Sequence, residues 1–100
     1  MPAPVKSFEK DPDSTLDYTL DWATTWLVSG DALDTSTWSV SDGSRGDTSL
    51  SITTDSQTTG KATVWLAGGV HGESYLATNS IVTTAGRIAD RSIAIIVRSQ

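Results

Sequence analysis

The chain has no cysteine, one methionine, one phenylalanine and one histidine in 100 residues, and its three prolines all fall within the first 12. Without cysteine no disulfide joins the layers of a small fold, and thiolate nucleophiles and Cys-ligated metals are excluded. Small extracellular domains usually carry such staples, so their absence favours assembly inside a cell over secretion through an oxidising compartment. A lone His71 leaves no ligand set for zinc and no partner chemistry for a Ser-His-Asp triad. Basic residues are also few: seven Lys and Arg against 12 Asp and Glu give a net charge of −5, and the bases are dispersed. That balance opposes nucleic-acid binding, which needs clustered cations to displace phosphate counterions. No apolar run approaches membrane-spanning length, and Met1-Pro2-Ala3-Pro4-Val5-Lys6 lacks the apolar core of a signal peptide.

What the chain does hold is Ser and Thr, 29 of 100 residues, together with four Trp and a hydrophobic fraction of 37%. β-Branched and aromatic residues suit pleated surfaces, while the good helix formers are scarce. The length matches one compact domain. Residues 1–14, which carry the prolines, read as an extended N-terminal arm or an edge strand at Val5 to Phe8, and residues 15–100 as the domain proper.

The organising stretch is Lys61 to Asn79. Ala62, Val64 and Leu66 alternate with Thr63 and Trp65, Gly68-Gly69 stops the run, and Gly72-Glu73-Ser74-Tyr75 opens another. A Tyr there, ring inward and hydroxyl reaching a backbone group a few residues upstream, has the form of a tyrosine corner. On that reading, removing the Tyr75 hydroxyl strands a buried backbone acceptor. Upstream, Leu16, Tyr18, Leu20 and Trp22 share one strand face, and Asp17, Thr19 and Asp21 the other. A connection from Ala23 to Asp34 holds Trp26, as a plug over one end or an exposed binding anchor. Thr37 to Val40 follows as a short strand that puts Trp38 in the core, then a polar loop Ser41 to Thr48, and a strand Leu50 to Thr53 with Leu50 and Ile52 inward. After the corner, Tyr75 to Thr83 and Ser92 to Arg98 are strands. In the last of these Ile93, Ile95 and Val97 face inward, leaving Ala94 and Ile96 on an outer apolar face that needs cover from a neighbouring subunit or the arm. Counting the optional first strand, about seven strands at regular spacing predict an all-β, immunoglobulin-like Greek-key β-sandwich.

Chemistry is hard to place on this frame. Glu9, Asp11 and Asp13 lack the spacing of a calcium loop, and Asp17 and Asp21 are surface charges on a wet strand face that discourage edge pairing. There is no GxSxG elbow, and Gly68-Gly69-Val70-His71-Gly72 lacks the Lys-Ser/Thr ending of a phosphate loop. Arg45-Gly46-Asp47 reads as an ordinary hairpin loop and not an integrin motif. The expectation is therefore a non-enzyme with no catalytic, cofactor-binding or metal-binding residue. Its structural residues are Tyr18, Trp22, Trp38, Gly72 and Tyr75, and its candidate interface residues are Val5, Phe8, Trp26, Ala94 and Ile96.

The order and spacing of Lys10-Asp11-Pro12-Asp13, Leu16-Asp17-Tyr18, Asp21-Trp22, Trp26-Leu27, Thr35-Ser36-Thr37-Trp38, Val64-Trp65-Leu66 with Gly68-Gly69, Gly72-Glu73-Ser74-Tyr75, Asn79, Thr83-Thr84, and Gly86-Arg87 with Asp90-Arg91-Ser92 resemble the fibre-tail adaptors, small immunoglobulin-like virion proteins of tailed bacteriophages. The resemblance implies a scaffold without cofactor or catalytic residue that joins tail fibre or tail components to the particle. Its partners would be other virion proteins (tail adaptor, tail tube or portal, fibre), with no nucleic acid or membrane, in a symmetric homo-oligomeric arrangement on the particle, assembled in the bacterial cytoplasm. The loop Ser41 to Thr48 is the part least matched. Head decoration or neck completion is the alternative within the virion. A module binding carbohydrate or a cell-surface protein through loops at Trp26 or Arg45 to Asp47 is the alternative outside it. Buried Trp side chains favour the adaptor, and an exposed Trp beside a shallow groove favours the binder.

Overall fold

The β-branched and alternating stretches become seven strands in the computed structural model, which describes residues 4–25, 27 and 30–98. They are β1 (Pro4–Lys10), β2 (Thr15–Asp21), β3 (Leu33–Val40), β4 (Ser51–Gln57), β5 (Lys61–Ala67), β6 (Ser74–Thr83) and β7 (Ile88–Val97). The sequence predicted no helix, yet one helical turn, α1 (Trp22–Thr25), follows β2. The backbone leaves the sheet there because the amides of Trp22 and Ala23 both donate to the Gly60 carbonyl, at 2.8 and 3.0 Å, and Leu27 N closes the turn onto the Trp22 carbonyl at 2.8 Å. Trp22 thus caps the core from a helical turn and not from the strand that its alternation suggested, and it is fully buried.

Two sheets face each other. One has the order β1-β7-β6-β3 and the other β2-β5-β4. β6 and β7 form an antiparallel hairpin in continuous register from Ser74↔Ile96 to Val82↔Ile88. β1 runs parallel to β7 along its other side, with Phe8 opposite Ile95 and Lys10 opposite Val97. This places Pro4–Lys10 as the edge strand of its own sheet. β7 is flanked on both sides, so its backbone groups pair with β1 and β6 and only its outer face is open.

Because side chains alternate, each sheet turns every second residue inward. Tyr18, Leu20, Ala62, Val64 and Leu66 meet Trp38, Tyr75, Ala77, Ile81, Ile93, Ile95 and Val97 in one core. Each fully buried Leu, Ile or Val adds about 1.5–3 kcal/mol relative to exposure, and with no disulfide this packing is the main bond between the layers. Along one open side the Phe8 ring packs against Tyr18, centroids 5.0 Å apart. Along the other, Gln57 Nε2 donates to the Asp34 carbonyl at 2.9 Å.

The strand bounds depart from the alternation where neighbours extend pairing. β3 starts at Leu33, well before Thr37, because β6 is long enough to pair with it. β7 likewise starts at Ile88, before Ser92. Leu50 is buried but precedes β4, and a register shift between Ile52 and Thr54 leaves Ile52 half-buried. Leu16, placed on the inner face by alternation, is 40% exposed at the open end of β2.

Candidate interaction surfaces and the glycine corner

The β5–β6 connection turns sharply because Gly68 and Gly72 adopt φ of +81° and +88°, a region costly for residues with a Cβ. The turn delivers Tyr75 into the core at 1% exposure. Its hydroxyl accepts the Val70 amide at 3.0 Å and donates to Asp47 Oδ2 at 2.6 Å. The backbone partner is therefore a donor and not the acceptor expected from the sequence, and the acceptor is a carboxylate from the β3–β4 loop. Asp47 Oδ2 also takes the Ser49 amide at 2.9 Å and the Ser49 hydroxyl at 2.5 Å. Donation from Ser49 and then Tyr75 holds the Asp47 carboxyl below its ordinary value, while burial and then Asp47 push the Tyr75 hydroxyl up.

Glu73, buried in the same corner, accepts the Arg45 amide at 2.6 Å and the Ser44 hydroxyl at 3.1 Å. The Arg45-Gly46-Asp47 tripeptide is thus lashed to the corner at both ends. Its aspartate serves the fold and is not displayed as a free carboxylate.

Lys10 is the residue that sequence reasoning missed. It lies at the inward end of β1, 1% exposed, and its ammonium donates to the carbonyls of Asp11 (2.9 Å), Ser14 (2.5 Å) and Gly68 (2.8 Å). Three carbonyls saturate its three N–H donors. One cation therefore fastens the β1–β2 turn to the glycine corner, tying one sheet to the other. Burial lowers its pKa, and the nearby Asp11 and Asp13 offset part of that. Nothing in Lys10-Asp11-Pro12-Asp13 distinguishes a buried lysine from a solvated one; only the distant Gly68 carbonyl does.

At the opposite end, Asp31 clamps the β6–β7 hairpin. Its carboxylate accepts the Ala32 amide (2.9 Å), the Thr84 hydroxyl (3.0 Å) and the Ala85 amide (3.2 Å), and pairs with Arg87 at 3.0 Å. Burial raises its pKa, but donors led by the Thr83 hydroxyl and the Ala32 amide outweigh this and hold it at about 2. Between the two ends, fully buried Asn79 accepts Trp22 Nε1 at 2.9 Å and donates to Ser36 Oγ at 2.8 Å and the Thr37 carbonyl at 3.2 Å. The Arg91 guanidinium lies 4.5 Å over the Trp22 ring. The hydroxyl of Tyr18 and the indole N–H of Trp38 are buried without a hydrogen-bond partner among the described residues.

Of the predicted interface residues, Ala94 and Ile96 lie half-buried on the outer face of the four-stranded sheet, with Leu76 cross-strand from Ala94. Phe8 packs on the protein's own core. Trp26 and the Val5 side chain lie outside the described residues. Among the described residues the exposed aromatic is Trp65, 39% accessible on the outer face of the three-stranded sheet. Its place between Val64 and Leu66 signalled that orientation, since both neighbours point inward.

Among the described residues no group of three or more His, Cys, Asp or Glu is arranged to hold a metal ion. The carboxylates with the most donors, Asp31, Asp47 and Glu73, are used up in closing turns. These features define a small all-β, sandwich-like protein whose charged groups brace its ends and whose sheet faces are its open surfaces. The family model described as podophage GP4 fiber-tail adaptor protein gp77 matches residues 10–96, and the chain belongs to that family. No curated protein matches it.

Proposed function

We propose that this protein is a structural component of a tailed-phage virion, an adaptor that joins tail fibre to tail through its surfaces and performs no catalysis. The observation that carries this reading is family membership over residues 10–96, which takes in every strand from the end of β1 to all but the last residue of β7. The fold serves the role: a disulfide-free sandwich closed at both ends by its own side chains can assemble in the host cytoplasm before release.

The sandwich is of the immunoglobulin-like kind in this reading. The strand orders β1-β7-β6-β3 and β2-β5-β4, with β1 parallel to β7, support that assignment, and Tyr75 at the start of β6 with its hydroxyl on Val70 N supports a tyrosine corner. The face carrying Ala94 and Ile96 is the contact between copies in a symmetric ring on the particle, where their half-exposed apolar surface gains cover. The test is mass spectrometry and antibody labelling of purified particles. Labels at the fibre bases are expected. Absence from the particle overturns the reading, and labels over the capsid replace the adaptor with head decoration.

A further inference from the structure

We propose that the outer face of the three-stranded sheet, centred on Trp65, is the docking site for a positively charged segment of another virion protein, an inference that rests on the adaptor reading above. Trp65 sits on the middle strand, cross-strand from Asp17 on β2 and Thr54 on β4. Its surroundings on that face are polar. Thr19 and Thr63 hydrogen-bond to each other at 2.9 Å, and Thr53 Oγ1 donates to the Trp65 carbonyl at 3.4 Å. An aromatic exposed within a hydroxyl lattice does not resemble the apolar centre of a self-associating sheet, such as Leu76, Ala94 and Ile96 provide on the other face.

Charge decides the occupant. On the face of Trp65 the register places Asp17 and Asp21 against a single base, Lys61, while Asp55 stands opposite the inward-facing Val64. Lys61 stands opposite Asp21 in the register, at the end of the sheet away from Trp65. No salt bridge among the described residues engages Asp17, which is exposed beside the indole. An indole face next to an unneutralised carboxylate attracts a guanidinium or ammonium twice, through the ring quadrupole and through the ion pair. The protein uses the first of these contacts internally, where Arg91 covers Trp22. At Trp65 the cation is to be supplied by the partner.

The experiment complements a phage lacking this gene with the wild-type protein, Trp65→Ala, Trp65→Phe, Asp17→Asn or Asp17→Lys, and counts copies per purified particle. Circular dichroism and thermal melts of each purified variant verify the fold, which these exposed side chains should leave intact. The expected result is wild-type incorporation, a drop of about tenfold for Trp65→Ala and for Asp17→Lys, equivalent to about 1.4 kcal/mol, and partial retention for Trp65→Phe and Asp17→Asn. Particles loaded with wild-type protein should also release it on washing at high salt more readily than at low salt. Normal incorporation of folded Trp65→Ala overturns the docking site while the adaptor reading stands. Loss with Trp65→Ala but full incorporation of Asp17→Lys overturns the basic occupant and points to an apolar or sugar contact. If wild-type protein is absent from complemented particles, the adaptor reading itself has failed.

Discussion

At one end of the molecule Lys10, Glu73 and Tyr75 are buried to 1%, 5% and 1% exposure; the first two satisfy backbone groups far away in the chain, and Tyr75 reaches the distant Asp47 carboxylate. At the other, the chain turns on Asp31, a shielded carboxylate whose partner Arg87 has a side chain 50% exposed. Both ends are closed by charge, but in different surroundings. At the glycine corner a cation is withdrawn from water and bonded to three part-buried carbonyls, so losing the lysine removes the donor from several groups at once. At the hairpin end the Thr84 and Ala85 groups that donate to Asp31 lie on an exposed turn where water can serve them in its absence, and the ion pair with half-exposed Arg87 contributes little by itself. Buried charge therefore fixes the joint between the sheets, and shielded surface charge shapes a turn.

The largest effect expected of any substitution in this comparison is at Lys10. Lys10→Met fills similar volume but leaves the carbonyls of Asp11, Ser14 and Gly68 without the ammonium, at a cost of about 2–4 kcal/mol. Urea titration reads it as a lower midpoint with an unchanged m-value, and a loss below about 0.5 kcal/mol would mean water substitutes for the ammonium. Gly68→Ala should fall close behind. Its added Cβ meets the Ser49 carbonyl and must hold a φ of +81°, whereas Gly72→Ala, with nothing within 4 Å and a φ of +88°, carries only backbone strain of about 1–2 kcal/mol. Equal destabilisation by the two would remove the close backbone approach from the account of the corner.

Tyr75→Phe keeps the ring and removes both hydroxyl bonds, for a loss of about 1–3 kcal/mol. Because the acceptor is Asp47 and not a backbone carbonyl, the loss should shrink in an Asp47→Ala background. A double-mutant cycle with no coupling would show that the β3–β4 loop is not held through this pair.

The smallest effect is at Asp31, present at neutral pH and lost in acid. Its folded pKa of about 2 lies below the ordinary 3.8, so its contribution is present above pH 3.8 and fades as pH falls toward about 2. Asp47, also depressed, adds in the same direction. Asp31→Asn should flatten the pH dependence of the melting temperature in that window, leaving the curve above pH 5 parallel to wild type. An unchanged slope would assign acid sensitivity to the corner end instead.

Several features were readable from local pattern. Period-two alternation put Val64, Leu66, Ile93, Ile95 and Val97 inside and turned Trp65 outward; paired glycines located the corner ahead of Tyr75. These follow from the sequence by itself because side-chain direction in a strand is set by neighbours one and two positions away. The tertiary structure alone decided that β1 lies parallel beside β7, that Lys10 is buried, that Asp47 receives the Tyr75 hydroxyl and that Asp17 stands beside Trp65. The reason is distance along the chain. Lys10 and Gly68 are 58 residues apart and Asp47 and Tyr75 28, so whether a charge meets carbonyls, a hydroxyl or water is fixed only when two sheets close on each other.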